Sequence, residues 1–485
     1  MKQAVKIFVE KYLNAISENN AAIFAGAGLS VPAGFVNWKE LLRKIAEELE
    51  LDIDKEDDLI SIAQYYVNQA GGQGAINQTI VNAFSKGVAL TPNLKLLAKL
   101  PIGHYWTTNY DDLIERALGD ANKSADVKLT PENLAITLPK RDAIVYKMHG
   151  DKSLPDKAVL TKGHYEDYNV TRQLFTTALQ GDLVSKTFLF IGFSFEDPNL
   201  SYILSRIRIL LGNNQRDHYC FFKQPQLSDY KKKLGEIEGE KAWAYDCLKL
   251  NYKVRDLTRY SIKALLIDDY AEITDTLTLL NKKLKRKKIF ISGAVANYGT
   301  WGKDRTDRFV FDLSYKIAAS NYKIISGFGL GIGDTVINGA LTYLYTTKYQ
   351  HLDEVIAMVP FPRFAPDGVD IKELKQKHRE ELTAQSGISI FIFGNKYIDG
   401  VLTESPGMMI EFDAAWEHDK NRSVPIPIGA TGNAAKIIWD IVNADPTTYG
   451  YDTPELLTLL QKLNDETATS LQLIDTVMAV IGLLQ

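Results

Sequence analysis

The sequence predicts an α/β protein built from two doubly wound parallel sheets. Short apolar runs alternate with stretches whose apolar residues recur at helical spacing, which is the pattern of parallel strands joined by helices. A dense basic run at 282–288 interrupts this alternation, which restarts at Ile289. Because 485 residues exceed what one hydrophobic core usually holds, two or three domains are expected, and we predict two, at 1–283 and 284–485.

Five apolar runs of the first domain are predicted to be buried strands, at 23–25, 104–108, 144–148, 188–191 and 218–222. Apolar stripes predict helices over 38–49, 113–118 and 200–211, and Asn37 is placed to cap the first of them. Strands and helices alternate along the chain, so we expect the strands to run parallel in a Rossmann-like sheet.

The second domain repeats this order with predicted strands at 289–292, 323–326, 354–360, 388–393 and 424–428. A glycine run at 327–333 follows the second of these strands, and Pro406 and Gly407 open a helix that carries Glu411 one turn later. We expect the basic run before this domain to be a solvated helix end and an interdomain linker. The second sheet is therefore also predicted to be Rossmann-like.

Three strand ends of the first domain carry the residues that indicate a binding site. A glycine turn at 26–30 follows the first strand, Asn109 and Asp111 follow the second, and His149 follows the third. Ligands of open α/β sheets bind at the carboxyl ends of the strands, so we expect these residues to form one nucleotide site. Glycines allow close approach of the backbone, and histidine titrates near neutral pH, as a proton acceptor requires.

Composition argues against several other classes of protein. The net charge of −4 gives no electrostatic case for nucleic-acid binding. The two cysteines, Cys220 and Cys247, are too few for a four-cysteine zinc site, and we expect both to be buried thiols. No apolar run approaches the roughly 18 residues of a membrane span, and no signal-type core follows the start, so we expect a soluble, cytoplasmic protein.

Four ordered motifs of the first domain resemble those of the sirtuin fold, at 26–30, 108–111, 149–150 and 192–194. The continuation at 195–199 is similar to the prokaryotic sirtuin-like branch rather than to the deacetylases. Two departures agree with that branch, because the four-cysteine zinc module of the deacetylases is absent and residues 34–38 replace their Asp-Phe-Arg segment.

This resemblance implies an NAD+ site that needs no metal. The residues that would bind NAD+ are Ala25, Gly26, Ala27, Gly28, Ser30, Thr108, Gly192 and Ser194. Backbone N–H groups of the glycine turn would face the pyrophosphate, with the Ser30 hydroxyl at a helix start. Asn109 would orient the carboxamide or the attacking water, Asp111 would hold the nicotinamide amide, and His149 would accept a proton from a ribose hydroxyl or water.

The second domain resembles the SLOG family, relatives of nucleotide hydrolases that carry a helical Arg and a Pro-Gly-Gly-x-Gly-Thr-x-x-Glu loop. Arg379 and the segment 405–411 match this pattern in part, but Met408 and Met409 stand where the loop has its later glycine and threonine. The resemblance therefore implies a domain that binds a nucleotide without hydrolysing it. The implied regulatory residues are Ser292, Gly293, Arg379, Lys396, Gly407 and Glu411.

A sirtuin-like domain followed by a SLOG domain is the arrangement of the effectors of Thoeris anti-phage systems, which the whole chain resembles. That resemblance implies an NAD+ hydrolase that depletes NAD+ as a defence. It also implies activation by a cyclic ADP-ribose isomer that a partner enzyme with a TIR domain makes. A homotetramer that can stack into filaments is the implied assembly.

Two other functions stay open at this point. A non-catalytic NAD+- or nucleotide-binding sensor or scaffold would use the same first site, although the intact Asn109 and His149 argue against it. A dehydrogenase would use the glycine run 327–333, but no catalytic acid–base pair can be assigned around that run.

Overall fold

The computed structural model describes residues 2–56, 58–348, 350–417 and 423–485. It divides into two compact units, 1–281 and 282–485. The basic run 282–288 forms the end of helix Ala271–Arg286 and the first residue of strand Lys288–Ala294. The run is therefore a helix end, as predicted, that leads almost directly into the next strand, and its role as the interdomain linker stays a prediction. The domain bounds at 283 and 284 stay a prediction.

The first unit contains a parallel sheet of seven strands: β1 Ala21–Ala25, β2 His104–Thr107, β3 Ala125–Lys128, β4 Ala143–Lys147, β5 Thr187–Ile191, β6 His218–Lys223 and β7 Ile262–Ile267. Their order is β3-β4-β2-β1-β5-β6-β7, and all neighbours run parallel. The strands that follow β1 in the chain, β2 to β4, lie on one side of it, and the later strands β5 to β7 lie on the other side. The topological switch point, where such sheets bind ligands, therefore lies between β1 and β5.

The helices of this unit pack against the sheet or against one another and are α1 Gln3–Ser17, α2 Trp38–Glu48, α3 Leu59–Ala70, α4 Gly74–Phe84, α5 Pro92–Lys99, α6 Leu113–Asp120, α7 Lys162–Glu166, α8 Tyr168–Thr171, α9 Gln173–Ser185, α10 Pro198–Leu211, α11 Leu227–Leu234, α12 Glu236–Thr258 and α13 Ala271–Arg286. Every residue of β1 and β5 is buried as a result, which explains their uninterrupted apolar sequences. The side chain of Asn37 accepts a hydrogen bond from the Glu40 N–H, so the predicted cap of α2 is confirmed.

Three features of the first unit differ from the sequence prediction, and the first is the edge strand β7, which was not predicted. No α-helix starts at Ser30; the glycine turn continues into two single 3-10 turns, Ala27–Leu29 and Val31–Ala33, before α2 begins. The edge strand β3 was not predicted, because its charged residues Asp126 and Lys128 do not make an apolar run. They are buried as an ion pair, 2.8 Å apart, which compensates their charges inside the fold.

The second unit has a parallel sheet of five strands: β8 Lys288–Ala294, β9 Lys323–Ser326, β10 Ile356–Met358, β11 Ile388–Phe393 and β14 Val424–Pro427. The order β10-β9-β8-β11-β14 is again doubly wound, which confirms the predicted fold class. The strand predicted over 354–360 is shorter, because the preceding helix, α16 Leu352–Val355, ends only at Val355. An antiparallel hairpin that we did not predict, β12 Asn395–Ile398 and β13 Val401–Glu404, follows β11.

The helices of this unit are α14 Lys303–Ala319, α15 Gly333–Thr346, α16 Leu352–Val355, α17 Ile371–Gln385, α18 Pro406–Glu417, α19 Asn433–Ala444, α20 Pro454–Lys462 and α21 Ser470–Leu484. Throughout the described parts of the chain, no helix combines the length and apolarity that a membrane crossing requires. Both cysteines are free; Cys220 is buried as predicted, whereas Cys247 is only half-buried.

The turn after β1 packs directly against the turn after β5, backbone on backbone. The Gly26 N–H donates to the Ile191 carbonyl and the Gly28 N–H to the Gly192 carbonyl, each at 2.9 Å. Gly192 has a φ of +64°, and a Cβ there would overlap the Leu29 nitrogen. A Cβ on Gly28 would lie 2.9 Å from the Gly192 Cα. Only glycine fits at these contacts.

We predict that Gly192→Ala lowers the free energy of unfolding by at least about 2 kcal/mol, because the added Cβ meets backbone atoms and the left-handed φ becomes strained. Gly181→Ala is the matched control. Gly181 lies inside α9 with nothing within 4 Å of its added Cβ, so alanine should stabilise by up to about 1 kcal/mol. Urea denaturation of both variants checks this, and equal stabilities would contradict the packing argument.

Candidate functional site

Four adjacent strands, β4, β2, β1 and β5, deliver the predicted motifs to one edge of the first sheet. His149 follows β4, Asn109 and Asp111 follow β2, the glycine turn follows β1, and Gly192 follows β5. Parallel strands end at the same edge, so the structure brings together the residues that the sequence analysis selected. Asn109, Asp111 and His149 are each less than a tenth exposed.

Asn109 is fixed by both hydrogens of its amide. Its Nδ2 donates to the Gly26 carbonyl at 3.1 Å and to the Ser30 hydroxyl at 3.0 Å. Its backbone N–H donates to the Thr107 hydroxyl, which in turn donates to the Ala25 carbonyl. Among the described residues no hydrogen bond engages Asn109 Oδ1, so the amide oxygen is the group it can offer to a ligand.

Asp111 presents one carboxylate oxygen to the site. Its Oδ1 accepts a hydrogen bond from the Leu113 N–H at the start of α6, while its Oδ2 is buried and unpaired. Burial raises the pKa of this carboxyl, against the opposing effects of the Ser30 hydroxyl and the Leu113 N–H. Asp111 Oδ2 can therefore accept a hydrogen bond from a carboxamide, which would replace the partner that it lacks.

Lys147, which the sequence analysis did not select, lies fully buried beneath Asp111. Its ammonium contacts the Asp111 carbonyl oxygen, the Asp151 carboxylate and, at 3.3 Å, the Glu115 carboxylate. Burial alone would lower the pKa of Lys147, but Glu115 and Asp151 raise it above its ordinary value. The charged lysine thus connects the segment that carries Asp111 to the segment that carries His149 and Asp151.

His149 is enclosed by two tyrosines and an aspartate. The Tyr165 and Tyr168 rings meet the imidazole edge-on, with centroids 5.5 and 6.1 Å away. The His149 Nε2 lies 3.2 Å from Asp197 Oδ2, a contact outside good hydrogen-bond geometry. Sequence reasoning placed Asp197 in a motif without giving it a role. The only available signal was its position before Pro198, which is typical of a helix cap.

Unpaired polar atoms are concentrated around these residues. Besides Asp111 Oδ2 and His149 Nε2, buried atoms without a hydrogen bond include Trp38 Nε1, Tyr165 Oη and Asn199 Nδ2. The Trp38 and Tyr165 rings stack with centroids 6.1 Å apart. Buried polar groups are normally hydrogen-bonded, so this group of atoms is suited to a polar ligand.

The remaining residues predicted to bind NAD+ lie at or just after the ends of β1, β2 and β5. The N–H groups of Gly26 and Gly28 are already bonded to the turn after β5, so they are not free for a pyrophosphate. Ser30 is buried and accepts from Asn109. Gly192 and Ser194 are exposed; Ala25 is buried at the end of β1, and Thr108 is half-buried. Gly26 and Gly28 therefore serve backbone packing, whereas the Ala27 N–H makes no hydrogen bond among the described residues, and the NAD+-binding role of the turn stays a prediction.

In the second unit, three of the predicted regulatory residues meet at the first strand of the sheet. The Ser292 hydroxyl on β8 donates to Glu411 Oε2 at 2.6 Å, and Arg379 Nε lies 3.8 Å from Glu411 Oε1. The Arg379 guanidinium also lies over the Phe361 ring, 5.0 Å from its centroid, and its Nε is unpaired. Burial raises the pKa of Glu411 to about 7, although Ser292 and Arg379 act against this.

The other predicted residues of this unit have separate surroundings. A Cβ on Gly407 would lie 3.4 Å from Arg379 Nη2, so the glycine lets the guanidinium approach the start of α18. Gly293 is packed against Ile332 and Ile392, and a Cβ on Gly329 would overlap the Gly293 carbonyl. The glycine run 327–333 is thus explained by backbone packing. Lys396 lies half-buried on the unpredicted hairpin, without a salt bridge among the described residues.

Comparisons with known proteins cover the whole chain. Residues 103–245 match the SIR2-like domain family, and residues 272–484 match the Sir2- and TIR-associating SLOG family. The chain is 44% identical to the NAD(+) hydrolase ThsA of Acinetobacter baumannii (strain 532279) over 99% of both chains. It is 43% identical to that of Cytobacillus dafuensis, over 99% of this chain and 97% of the relative. It is 42% identical to the NAD(+) hydrolase ThsA of Bacillus cereus (strain MSX-D12), over 100% of this chain and 99% of the relative.

The raised pKa of Glu411 predicts a pH-dependent difference in stability between the protein and its Glu411→Gln variant. An unfolded Glu ionises near pH 4.5 but the folded one only near pH 7, so ionisation favours unfolding as the pH rises between these values. The variant avoids this, and should exceed the parent by up to about 3 kcal/mol above pH 7 and by little at pH 4.

Urea denaturation at pH 4.5, 6 and 8 measures this difference. Glu466→Gln is the control, because Glu466 is an exposed carboxylate of the same unit. A Glu411→Gln advantage that does not grow with pH would contradict the assignment of a buried, late-ionising carboxyl.

Proposed function

The chain belongs to the family of the ThsA NAD(+) hydrolases, and from this we propose that it cleaves the nicotinamide–ribose bond of NAD+ with water as acceptor. The observation that carries the proposal is the convergence of Asn109, Asp111 and His149 at one sheet edge, in a chain alignable to those hydrolases over its whole length. Each of the three side chains has an atom that the protein itself leaves unpaired.

The chemistry of the substrate fits such a site. The nicotinamide ring of NAD+ is positively charged and leaves as a neutral molecule. Cleavage through an oxocarbenium-like state therefore depends on positioning and charge stabilisation more than on a strong acid. Asp111 Oδ2 would accept the carboxamide N–H, and Asn109 Oδ1 would orient the attacking water. His149 would accept a proton from that water or from a ribose hydroxyl.

We predict that Asn109→Ala and His149→Ala each lower NAD+ turnover by at least about two orders of magnitude with the fold retained. Nicotinamide release, followed by chromatography under conditions that activate the parent, measures the loss. His104→Ala is the matched control, because His104 also contacts an aspartate, Asp182 at 2.7 Å, but begins β2 at the opposite edge of the sheet. Its turnover should stay near that of the parent.

Parent-like turnover in either active-site variant would refute the catalytic assignment. Binding of NAD+ by the parent without any release of nicotinamide would instead favour a non-catalytic sensor that reports NAD+.

We propose further that the second unit binds a cyclic ADP-ribose isomer made by a TIR-domain partner enzyme, and that this ligand activates NAD+ cleavage as an anti-phage defence. Such a ligand has two phosphates and several ribose hydroxyls. Arg379 and Lys396 supply cations for the phosphates, while Glu411 and Ser292 supply hydrogen-bonding groups for the hydroxyls. The incomplete loop at 405–411 supports binding without hydrolysis.

Regulation of this kind requires the ligand to bind the active arrangement more tightly than the resting one. A difference of ~100-fold in affinity supplies about 2.7 kcal/mol towards the active arrangement. Uncontrolled NAD+ loss would kill the host cell, so we propose a cytoplasmic homo-oligomer, a tetramer at rest, that restrains the first unit and stacks into filaments when the ligand binds.

We predict that Arg379→Ala abolishes ligand-triggered NAD+ cleavage, because the loss removes a cation that meets the phosphates and leaves Glu411 without its counter-charge. Calorimetry with cyclic ADP-ribose isomers, nicotinamide release and light scattering report binding, activation and assembly on the same samples. Arg308→Ala is the control, since Arg308 is an exposed arginine of the same unit paired to Asp312. Unchanged binding and activation in Arg379→Ala would place the regulatory pocket elsewhere.

A further inference from the structure

Asp197 makes two contacts with its two carboxylate oxygens. Its Oδ1 accepts a hydrogen bond from the Leu200 N–H at 2.9 Å and so caps α10, in which Pro198 is the first residue. Its Oδ2 faces His149 Nε2 at 3.2 Å. The side chain is only 7% exposed, so the helix cap fixes the direction of the second oxygen.

The groups around the imidazole indicate that Asp197 is its charged partner. Burial opposes ionisation of Asp197, but the His149 ring and the N–H groups of α10 outweigh it and lower its pKa. Burial raises the pKa values of Tyr165 and Tyr168, so both phenols are neutral near pH 7. The nearby Arg172 guanidinium donates to two backbone carbonyls instead.

A carboxylate only accepts hydrogen bonds, so an ionised Asp197 selects the imidazole tautomer that carries its proton on Nε2. In this tautomer the lone pair is on Nδ1. No hydrogen bond of the described residues engages Nδ1. The imperfect alignment of the 3.2 Å contact is typical of a site without substrate, where such bonds tighten only in the substrate complex.

We propose that Asp197 is a positioning residue that sets the tautomer of His149, and that Nδ1 is the atom that accepts the proton. This proposal rests on NAD+ hydrolysis at the first site. As the water oxygen bonds to the ribose carbon and the bond to nicotinamide breaks, Nδ1 takes the water proton and nicotinamide leaves neutral. The imidazolium then stays paired with the Asp197 carboxylate until it releases its proton to solvent.

Asp197→Asn tests the proposal without removing the helix cap. The amide oxygen must stay on the Leu200 N–H, because an amide nitrogen there would oppose a second donor. The amide nitrogen then faces His149 Nε2 and donates to it, which moves the imidazole proton to Nδ1. The variant therefore keeps the fold and the ring position but inverts the tautomer.

We expect Asp197→Asn to lower kcat by roughly 10²- to 10⁴-fold with little change in KM for NAD+ or in Tm. The pH profile of kcat should change as well, because the substitution removes a charge 3.2 Å from the ring that accepts the proton. Asp58→Asn is the matched control: Asp58 caps α3 in the same way but is exposed. It should leave kcat and the pH profile unchanged.

The 15N spectrum of His149 gives a readout independent of turnover. The parent should show the Nε2–H tautomer and Asp197→Asn the Nδ1–H tautomer. An Nδ1–H tautomer in the parent, or parent-like kcat and pH profile in Asp197→Asn, would overturn the proposal. Absence of nicotinamide release from the parent would refute the proposed function instead, while the parent spectrum would still decide the role of Asp197.

Discussion

Backbone contact between the turns after β1 and β5 sets the geometry of the whole first site. Because Gly26, Gly28 and Gly192 carry no side chains, the two turns approach closely enough to exchange backbone hydrogen bonds across the switch point. The Gly26 carbonyl that this packing fixes is then an acceptor for Asn109. The loop after Gly192 continues directly into the residues that cap α10, so the position of Asp197 depends on the same contact.

A second constraint comes from charges enclosed by the fold. Lys147 is fully buried between Glu115 and Asp151, and removing any one partner would leave an uncompensated charge in a medium of low polarity. Such groups contribute less to net stability than to fixing one arrangement. Here the arrangement concerns the Asp111 carbonyl and the loop just after His149, so the network fixes the backbone that carries two residues of the candidate site.

Much of the fold and of the candidate site could be predicted from the sequence, and the elements that the prediction missed were missed for physical reasons. The central strands were recognised because burial on both faces makes them apolar throughout, and the residues after them follow from the geometry of parallel sheets. The edge strand at 125–128 and the hairpin at 395–404 were missed because they are short and partly polar. The packing of the glycine turn against the turn after β5 was not predicted either, because the sequence shows that the backbone must come close to another group, but not to which one. The pairing of His149 with Asp197 joins residues far apart in the chain, and no local pattern reveals it.

The two contacts of Asp197 connect the start of α10 to the imidazole of His149. One oxygen of this carboxylate accepts a hydrogen bond from the first turn of a helix of 14 residues, and the other oxygen faces the imidazole. A sub-ångström slide or tilt of that helix would move the carboxylate against the imidazole, without a direct effect on Asn109 and Asp111. A shift of α10 could therefore adjust the rate of the proposed chemical step while leaving affinity for the substrate intact.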